Sequence, residues 1–114
     1  MLIGAQGGRI EGMRIHGNKN AGYDPRGAGL GMNSSAAFAT HCIISNNTID
    51  NINYSYGGGV AIFGGTLQNS LIVNNVNTRS SSKSVGGGVY ASGSACRLVN
   101  CTVAANLSAN EGGG

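Results

Sequence analysis

A glycine-rich segment recurs along the chain at a nearly constant distance, and this repetition limits the possible folds more than any other feature. Its copies begin at Gly27, Gly57, Gly86 and Gly112, so the spacings between them are 30, 29 and 26 residues. A period of this length indicates a stacked array in which each unit packs on its neighbours. The chain is therefore expected to be a solenoid and not a domain with one central core.

A second motif keeps the same period at a different phase. Each copy starts with a small or apolar residue, has an aliphatic residue two positions later and ends on an asparagine after three more. Alternation with a period of two is typical of a short β-strand that turns one face inward. The copies cover residues 13–18, 42–47, 70–75 and 101–106.

These patterns predict an all-β fold, a right-handed single-stranded parallel β-helix of about three to four coils that spans residues 1–114. Strand spacing puts successive coils about 4.8 Å apart, so equivalent residues lie above one another. Glycine, asparagine, serine and β-branched residues are poor helix formers, which excludes a helical bundle or a coiled coil. The predicted inward columns are Ile10/Ala39/Leu67/Leu98, Met13/Cys42/Ser70/Cys101, Ile15/Ile44/Ile72/Val103 and Leu30/Val60/Val89.

The repeated asparagine has a physical explanation in such a fold. Asparagine tolerates the left-handed backbone angles that a sharp bend between strands requires. Its side-chain amide can also bond to the amides one coil above and one coil below, which produces a ladder. The predicted structural ladder consists of Asn18, Asn47, Asn75 and Asn106.

A leucine-rich repeat is the alternative fold, because its template L-x-x-L-x-L-x-x-N has a similar period. Leu98, Cys101, Val103 and Asn106 fit that template. The other half of such a repeat is normally a helix or a similar convex segment with aliphatic anchors. Here that half contains glycine runs and alternating short side chains, which favours the β-helix over a leucine-rich interaction module.

The repeats resemble the right-handed parallel β-helix repeats of bacterial surface proteins, including polymorphic outer-membrane proteins. The residues that carry this resemblance are 86–90 (GGGVY), 98–103 (LVNCTV), Asn106 and 111–114 (EGGG). The resemblance covers residues 10–114 and implies the fold of the pectate-lyase-like superfamily. It implies a secreted or cell-surface location, but it does not specify an activity, because this fold hosts lyases, hydrolases, adhesins and passive stalks.

The ends of the chain carry an expectation of their own. A solenoid needs polar end caps, and no cap can be recognised, so the segment is expected to be an excerpt of a longer solenoid with flanking coils of the same chain as partners. Residues 1–10 lack the basic and then apolar pattern of a signal peptide. No apolar run is long enough to span a membrane.

Acidic residues are too scattered to predict a catalytic site. The four are Glu11, Asp24, Asp50 and Glu111, and they lie in different coils at different phases. A two-carboxylate hydrolase site needs its carboxylates about 5 to 10 Å apart. Asp24 and Asp50 lie in equivalent loops and could approach each other, but solvated loop acids are the expectation. No catalytic residue, metal or cofactor is assigned, and a polysaccharide lyase or hydrolase with its active site outside this segment is the alternative function.

The histidines and cysteines are expected to be structural or exposed. His16 occupies an outward strand position, and His41 and Cys42 are neighbours on a strand that point to opposite faces. Cys42 and Cys101 share an inward phase two coils apart, which is too far for a disulfide. A local disulfide between Cys96 and Cys101 is left open.

Three loops are expected to emerge at one corner of the stack and to form a ligand surface. They are residues 19–26, 48–56 and 76–85, and they concentrate basic residues and tyrosines. Tyrosine rings stack on sugar rings, and basic groups pair with carboxylate or sulfate. The candidate binding residues are Lys19, Tyr23, Arg26, Tyr54, Tyr56, Arg79 and Lys83.

The predicted role is therefore that of a structural repeat region that displays loops for adhesion or glycan binding. Its expected partner is a polysaccharide or a host surface glycan. A net charge of +3 without a basic cluster argues against nucleic-acid binding.

Overall fold

Short parallel strands build almost the whole molecule. The structure is a computed structural model, and it describes residues 1–4, 7–50, 54–78, 84–110 and 112–113. These residues contain strands, turns and bends but no helix. The strands are β1 (Leu2–Ile3), β2 (Gly8–Glu11), β3 (Arg14–His16), β4 (Lys19–Asn20), β5 (Leu30–Thr40), β6 (Ile43–Ser45), β7 (Thr48–Ile49), β8 (Ser55–Tyr56), β9 (Val60–Gln68), β10 (Leu71–Val73), β11 (Val76–Asn77), β12 (Ser84–Val85), β13 (Val89–Ala91), β14 (Cys96–Val99), β15 (Thr102–Ala104) and β16 (Leu107–Ser108).

Consecutive strands lie in different sheets, and the chain returns to each sheet after one period. The first sheet has the order β1-β5-β9-β13, with β2 paired to β5 and β14 paired to β9. The second sheet contains β3, β6, β10 and β15, the third contains β4, β7, β11 and β16, and β8 pairs with β12. The chain is thus a parallel β-solenoid of about three turns, as the period predicts. A leucine-rich repeat would place a helix where this solenoid has strands.

The strand registers confirm three of the four predicted columns. Ile15 pairs with Ile44, Ile44 with Ile72 and Ile72 with Val103, so these residues form one column through the second sheet. The columns Ile10/Ala39/Leu67/Leu98 and Leu30/Val60/Val89 are also in register. Equivalent residues of successive coils therefore lie above one another.

The core is the interior of the middle coils, because only these have a neighbour on both sides among the described residues. Ile44 and Ile72 are fully buried, and burial of such a side chain stabilises a fold by about 1.5–3 kcal/mol. Met13 and Leu98 stand at the ends of two predicted inward columns, but each is 39% exposed. They lie in the first and last coils, which no described coil covers on the outer side. Cys42, in the column of Met13, is 1% exposed.

One corner of the first sheet accommodates the differences in period. Between the paired positions Met32–Ile62 and Phe38–Thr66, the second coil runs through residues 33–37 and the third coil only through residues 63–65. The register shifts there, which marks a β-bulge in the longer segment. Gly65 has a φ of 104°, and a Cβ at this position would overlap the carbonyl oxygen of Ala37. A glycine is therefore required where the shorter coil passes under the bulge.

Among the described residues there is no helix long and apolar enough to cross a membrane.

Candidate ligand-binding surface

The outer face of the solenoid carries a tyrosine at the corner between the fourth sheet and the first. Ser55 and Tyr56 form β8, and the strand alternation buries Ser55 while Tyr56 stays half-buried on the outside. Tyr56 is in register with Val85 on one side and with Arg26 on the other, through an isolated parallel bridge. Backbone hydrogen bonds on both sides therefore hold the Tyr56 position.

Two more aromatic rings pack against Tyr56. The Tyr90 ring centre lies 4.8 Å from that of Tyr56, with the ring planes tilted by 51°. The Phe63 ring centre lies 5.6 Å from that of Tyr90 and 6.1 Å from that of Tyr56, the latter pair edge to face. These distances fall in the range of favourable aromatic contacts. Tyr56, Phe63 and Tyr90 are called the aromatic cluster below, and all three are half-buried.

The outer face of β9 also has a small residue next to the aromatic cluster. Ala61 points outward from β9, between the inward residues Val60 and Ile62, and it is in register with Tyr90. Although it lies on the outer face, Ala61 is fully buried. Because its methyl group is short, the surrounding side chains can close over it. The aromatic cluster is thus a built part of the outer surface and not a set of loop residues free in solvent.

Arg26 adds a positive charge to the aromatic cluster. Its guanidinium carbon lies 4.8 Å from the centre of the Phe63 ring, a cation–π contact. Arg26 is exposed, and no carboxylate of the described residues forms an ion pair with it. The guanidinium group therefore has donors that an anionic group on a ligand can use.

A cleft of about 560 Å³ opens beside Arg26 and shares Phe63 with the aromatic cluster. Its volume is that of a small-molecule site. Lys19 lines this cleft, and its Nζ donates to Asp50 Oδ2 at 2.8 Å. Asp24 also lines it, and Asp24 Oδ1 is buried with no hydrogen-bond partner in the described part of the chain.

The structure brings together some of the predicted binding residues and leaves others apart. Lys19, Tyr23 and Arg26 line the cleft, and Tyr56 is the register neighbour of Arg26. Tyr54 is 40% exposed and does not line the cleft. The other two predicted residues, Arg79 and Lys83, lie outside the described residues. Ligand binding by this set stays a prediction.

Phe63 and Tyr90 were not among the predicted binding residues. The alternation along their strands places both of them on the outer face, which was visible in the sequence. What the sequence did not show is the bend between the fourth sheet and the first, which brings Tyr56 against them. A search for outward aromatic residues near glycine-rich bends would have found both.

The asparagine column is structural. Asn47 Nδ2 donates to Asn75 Oδ1 at 2.8 Å, and the corresponding distances are 2.9 Å from Asn18 to Asn47 and 3.0 Å from Asn75 to Asn106. The backbone N–H groups of the same three donors bond to the same oxygens. Asn47 and Asn75 are fully buried, so their amides stabilise the stack and do not face a ligand.

Left-handed backbone angles were expected at the ladder asparagines, but the structure has them on other residues. Positive φ angles occur at the position before each ladder asparagine, which is Gly17, Asn46, Asn74 or Ala105 in successive coils. The ladder asparagines themselves are not among the residues with positive φ. The bend therefore needs one residue for its backbone angle and the next for its hydrogen bonds.

The remaining histidines, cysteines and acids are spread over the described part of the chain. In the described ranges, no group of three or more histidines, cysteines or acids could hold a metal ion. His41 Nδ1 lies 3.0 Å from Thr40 Oγ1. His41 is exposed and Cys42 is buried, but the expected strand is absent here, because both lie in the bend between β5 and β6, where His41 has a φ of 53°. All three cysteines are free thiols, so the disulfide between Cys96 and Cys101 that was left open does not form.

Comparison of the chain with protein-family models, with curated proteins and with solved structures gave no match.

Proposed function

We propose that this chain is a structural repeat segment of a secreted or cell-surface protein, and that its outer surface binds a glycan through Arg26 and the aromatic cluster. The proposal includes the resemblance to bacterial surface repeats with a right-handed pectate-lyase-like fold. The observation that carries it is the packing of Tyr56, Phe63 and Tyr90 into one half-buried surface beside Arg26.

The chemistry of this surface matches a sugar chain with acidic groups. Aromatic rings present apolar faces to the C–H faces of a sugar ring, and the tyrosine hydroxyls can bond to sugar hydroxyls. The Arg26 guanidinium can form paired hydrogen bonds with a carboxylate or a sulfate. The adjoining cleft would take the next part of the ligand, with Asp24 Oδ1 as an acceptor for a hydroxyl group.

The solenoid supports this role because it is rigid. Tyr56 lies on β8, which pairs with β12, and Tyr90 lies on β13, which pairs with β9. Arg26 is bridged to Tyr56 through the backbone. Groups held in this way lose little conformational freedom when a ligand binds, which favours affinity. The same rigidity suits a spacer that carries binding surfaces away from a cell.

The test is binding of the whole chain to an array of acidic and neutral glycans, with a matched pair of variants. Arg26→Ala removes the cation from Phe63, and Arg9→Ala removes another cation that lies 4.6 Å from the ring centre of Phe38, outside the aromatic cluster. We expect Arg26→Ala to abolish binding to the acidic glycans and Arg9→Ala to retain it. Equal losses in the two variants, or no binding by the unmodified chain, would refute the proposal.

A further inference from the structure

A group of polar side chains lies inside the solenoid at the corner between the third and the fourth sheet. Ser55, Asn77 and Ser84 are all fully buried there. Ser55 Oγ lies 2.9 Å from Asn77 Oδ1 and 2.8 Å from Ser84 Oγ, so the three side chains form one hydrogen-bonded group. In the preceding coil the position of Asn77 is occupied by Ile49, which is also fully buried. At this position of the third sheet the buried side chain is thus apolar in one coil and polar in the next.

Two polar atoms of this region have no hydrogen-bond partner in the described part of the chain. They are Asn77 Nδ2 and Ser108 Oγ, and both are buried. Asn77 and Ser108 are register partners on β11 and β16, in adjacent coils. Paired strands lie about 4.8 Å apart, so the two side chains reach into the same narrow space. A buried donor without an acceptor is costly, and native proteins rarely contain one without a compensating contact.

We propose that one water molecule is bound inside the solenoid between Asn77 and Ser108. It accepts a hydrogen bond from Asn77 Nδ2 and exchanges a second one with Ser108 Oγ. Water fits because it can donate and accept, and because it bridges polar groups that are too far apart for a direct bond. A halide ion would need to be buried without a counter-charge, since the buried polar residues here are all neutral.

This water has a structural connection to the outer surface. Ser55 belongs to the interior polar group, and the next residue on the same strand is Tyr56 of the aromatic cluster. The hydrogen bonds that run from the water through Asn77 to Ser55 therefore help to fix the strand that presents Tyr56. The proposal itself does not depend on glycan binding, because it rests on the interior side chains alone.

The experiment uses the full chain in two measurements. The first is cross-relaxation in solution NMR between bulk-exchanging water and the side-chain amide protons of Asn77, which a long-lived interior water produces. We expect this signal to be present and to stay unchanged when sodium chloride is replaced by sodium sulfate. Absence of the signal would overturn the proposal. A melting temperature that depends on chloride would also overturn it, because it would show that an anion and not a water molecule occupies the site.

The second measurement compares the urea midpoints of two serine variants of the last coil. Ser108→Ala removes a buried hydroxyl, and Ser94→Ala removes an exposed one as a control. If a water bonds to Ser108 Oγ, the Ser108 variant has the lower midpoint, because the water loses a partner. If the hydroxyl has no partner at all, its removal leaves the midpoint unchanged or raises it. An unchanged or higher midpoint would therefore overturn the proposal.

Discussion

The guanidinium carbon of Arg26 lies 4.8 Å from the centre of the Phe63 ring, although the two residues belong to different coils. Tyr56 is bridged to Arg26 through the backbone, and the bend after Tyr56 leads into β9, whose outward residue Phe63 contacts the Arg26 side chain. Arg26 is thereby held against an aromatic face while its donors remain directed to solvent. Because the two side chains are in direct contact, the contribution of this contact to the stability of the fold can be measured.

The Arg26–Phe63 contact is expected to stabilise the fold slightly. A double-mutant cycle with Arg26→Gln and Phe63→Leu should give a coupling of about 0.5–1 kcal/mol in the free energy of unfolding, the magnitude of an exposed cation–π pair. Urea denaturation of the four proteins measures it. The cycle for Arg9 and Phe38, whose geometry is similar, serves as the comparison. A coupling of zero for Arg26 and Phe63 would mean that the contact is not formed in solution.

The column of inward isoleucines predicts that two neighbouring isoleucines on β6 contribute very differently to the stability of the fold. Ile44 is fully buried, whereas Ile43 is 40% exposed on the outer face of β6. Ile44→Ala should lower the free energy of unfolding by about 2–5 kcal/mol, since it leaves a cavity between coils. Ile43→Ala should change it by about 1 kcal/mol or less. Similar losses for the two variants, measured by urea denaturation, would contradict the inward column.

Removal of one asparagine side chain from the ladder should lower the stability of the fold severely. Asn75 Oδ1 accepts from both the backbone N–H and the Nδ2 of Asn47, and Asn75 Nδ2 donates to the carbonyl of Ile44. In Asn75→Ala these buried groups lose their partners, so we expect a loss of more than about 2 kcal/mol in unfolding free energy. Asn33→Ala at an exposed position is the control and should have little effect. A small effect at Asn75 would show that its neighbours find other partners.

Two glycines of the solenoid are expected to be required for different reasons, one for close approach of the coils and the other only for its backbone angle. A Cβ on Gly58 would overlap the carbonyl oxygen of Gly87 in the next coil. Gly17 has a φ of 67°, but a Cβ there has nothing within 4 Å. Gly17→Ala should therefore cost about 1–2 kcal/mol of unfolding free energy, the strain of a left-handed residue.

Gly58→Ala should be considerably worse than Gly17→Ala, because the coils cannot separate locally without breaking their hydrogen bonds. Circular dichroism and thermal unfolding compare the two variants. Similar melting temperatures for the two variants would contradict the close approach of Gly58 to Gly87.

The exposed ion pair should contribute little to stability. Lys19 Nζ lies 2.8 Å from Asp50 Oδ2, but the Lys19 side chain is 62% exposed, so solvent screens the interaction. Lys19→Met should change the free energy of unfolding by less than about 0.5 kcal/mol at moderate salt. A larger loss that disappears at high salt would show a stronger pair than the exposure suggests.

The interior and the outer surface differ in how far the sequence predicts them. Ile15, Ile44 and Ile72 could be aligned from their spacing alone, because hydrogen bonding between coils enforces one register over the whole stack. Phe63 and Tyr90 could be assigned to the outer face by the same alternation. Their contact with Tyr56 depends on the angle between two sheets, and the period carries no information about that angle.

The amino-acid sequence by itself determined the repeat, the parallel strands and the inward columns, because a strict period with alternating apolar residues can satisfy its backbone hydrogen bonds and bury its apolar side chains together in a stack of coils. Only the tertiary structure decided which outward side chains meet at a corner. It placed Arg26 on Phe63 and left Tyr54 outside the cleft, and it moved the left-handed angle from Asn47 to Asn46. These features depend on bends and loop lengths, where a shift of one residue redirects a side chain without disturbing the period.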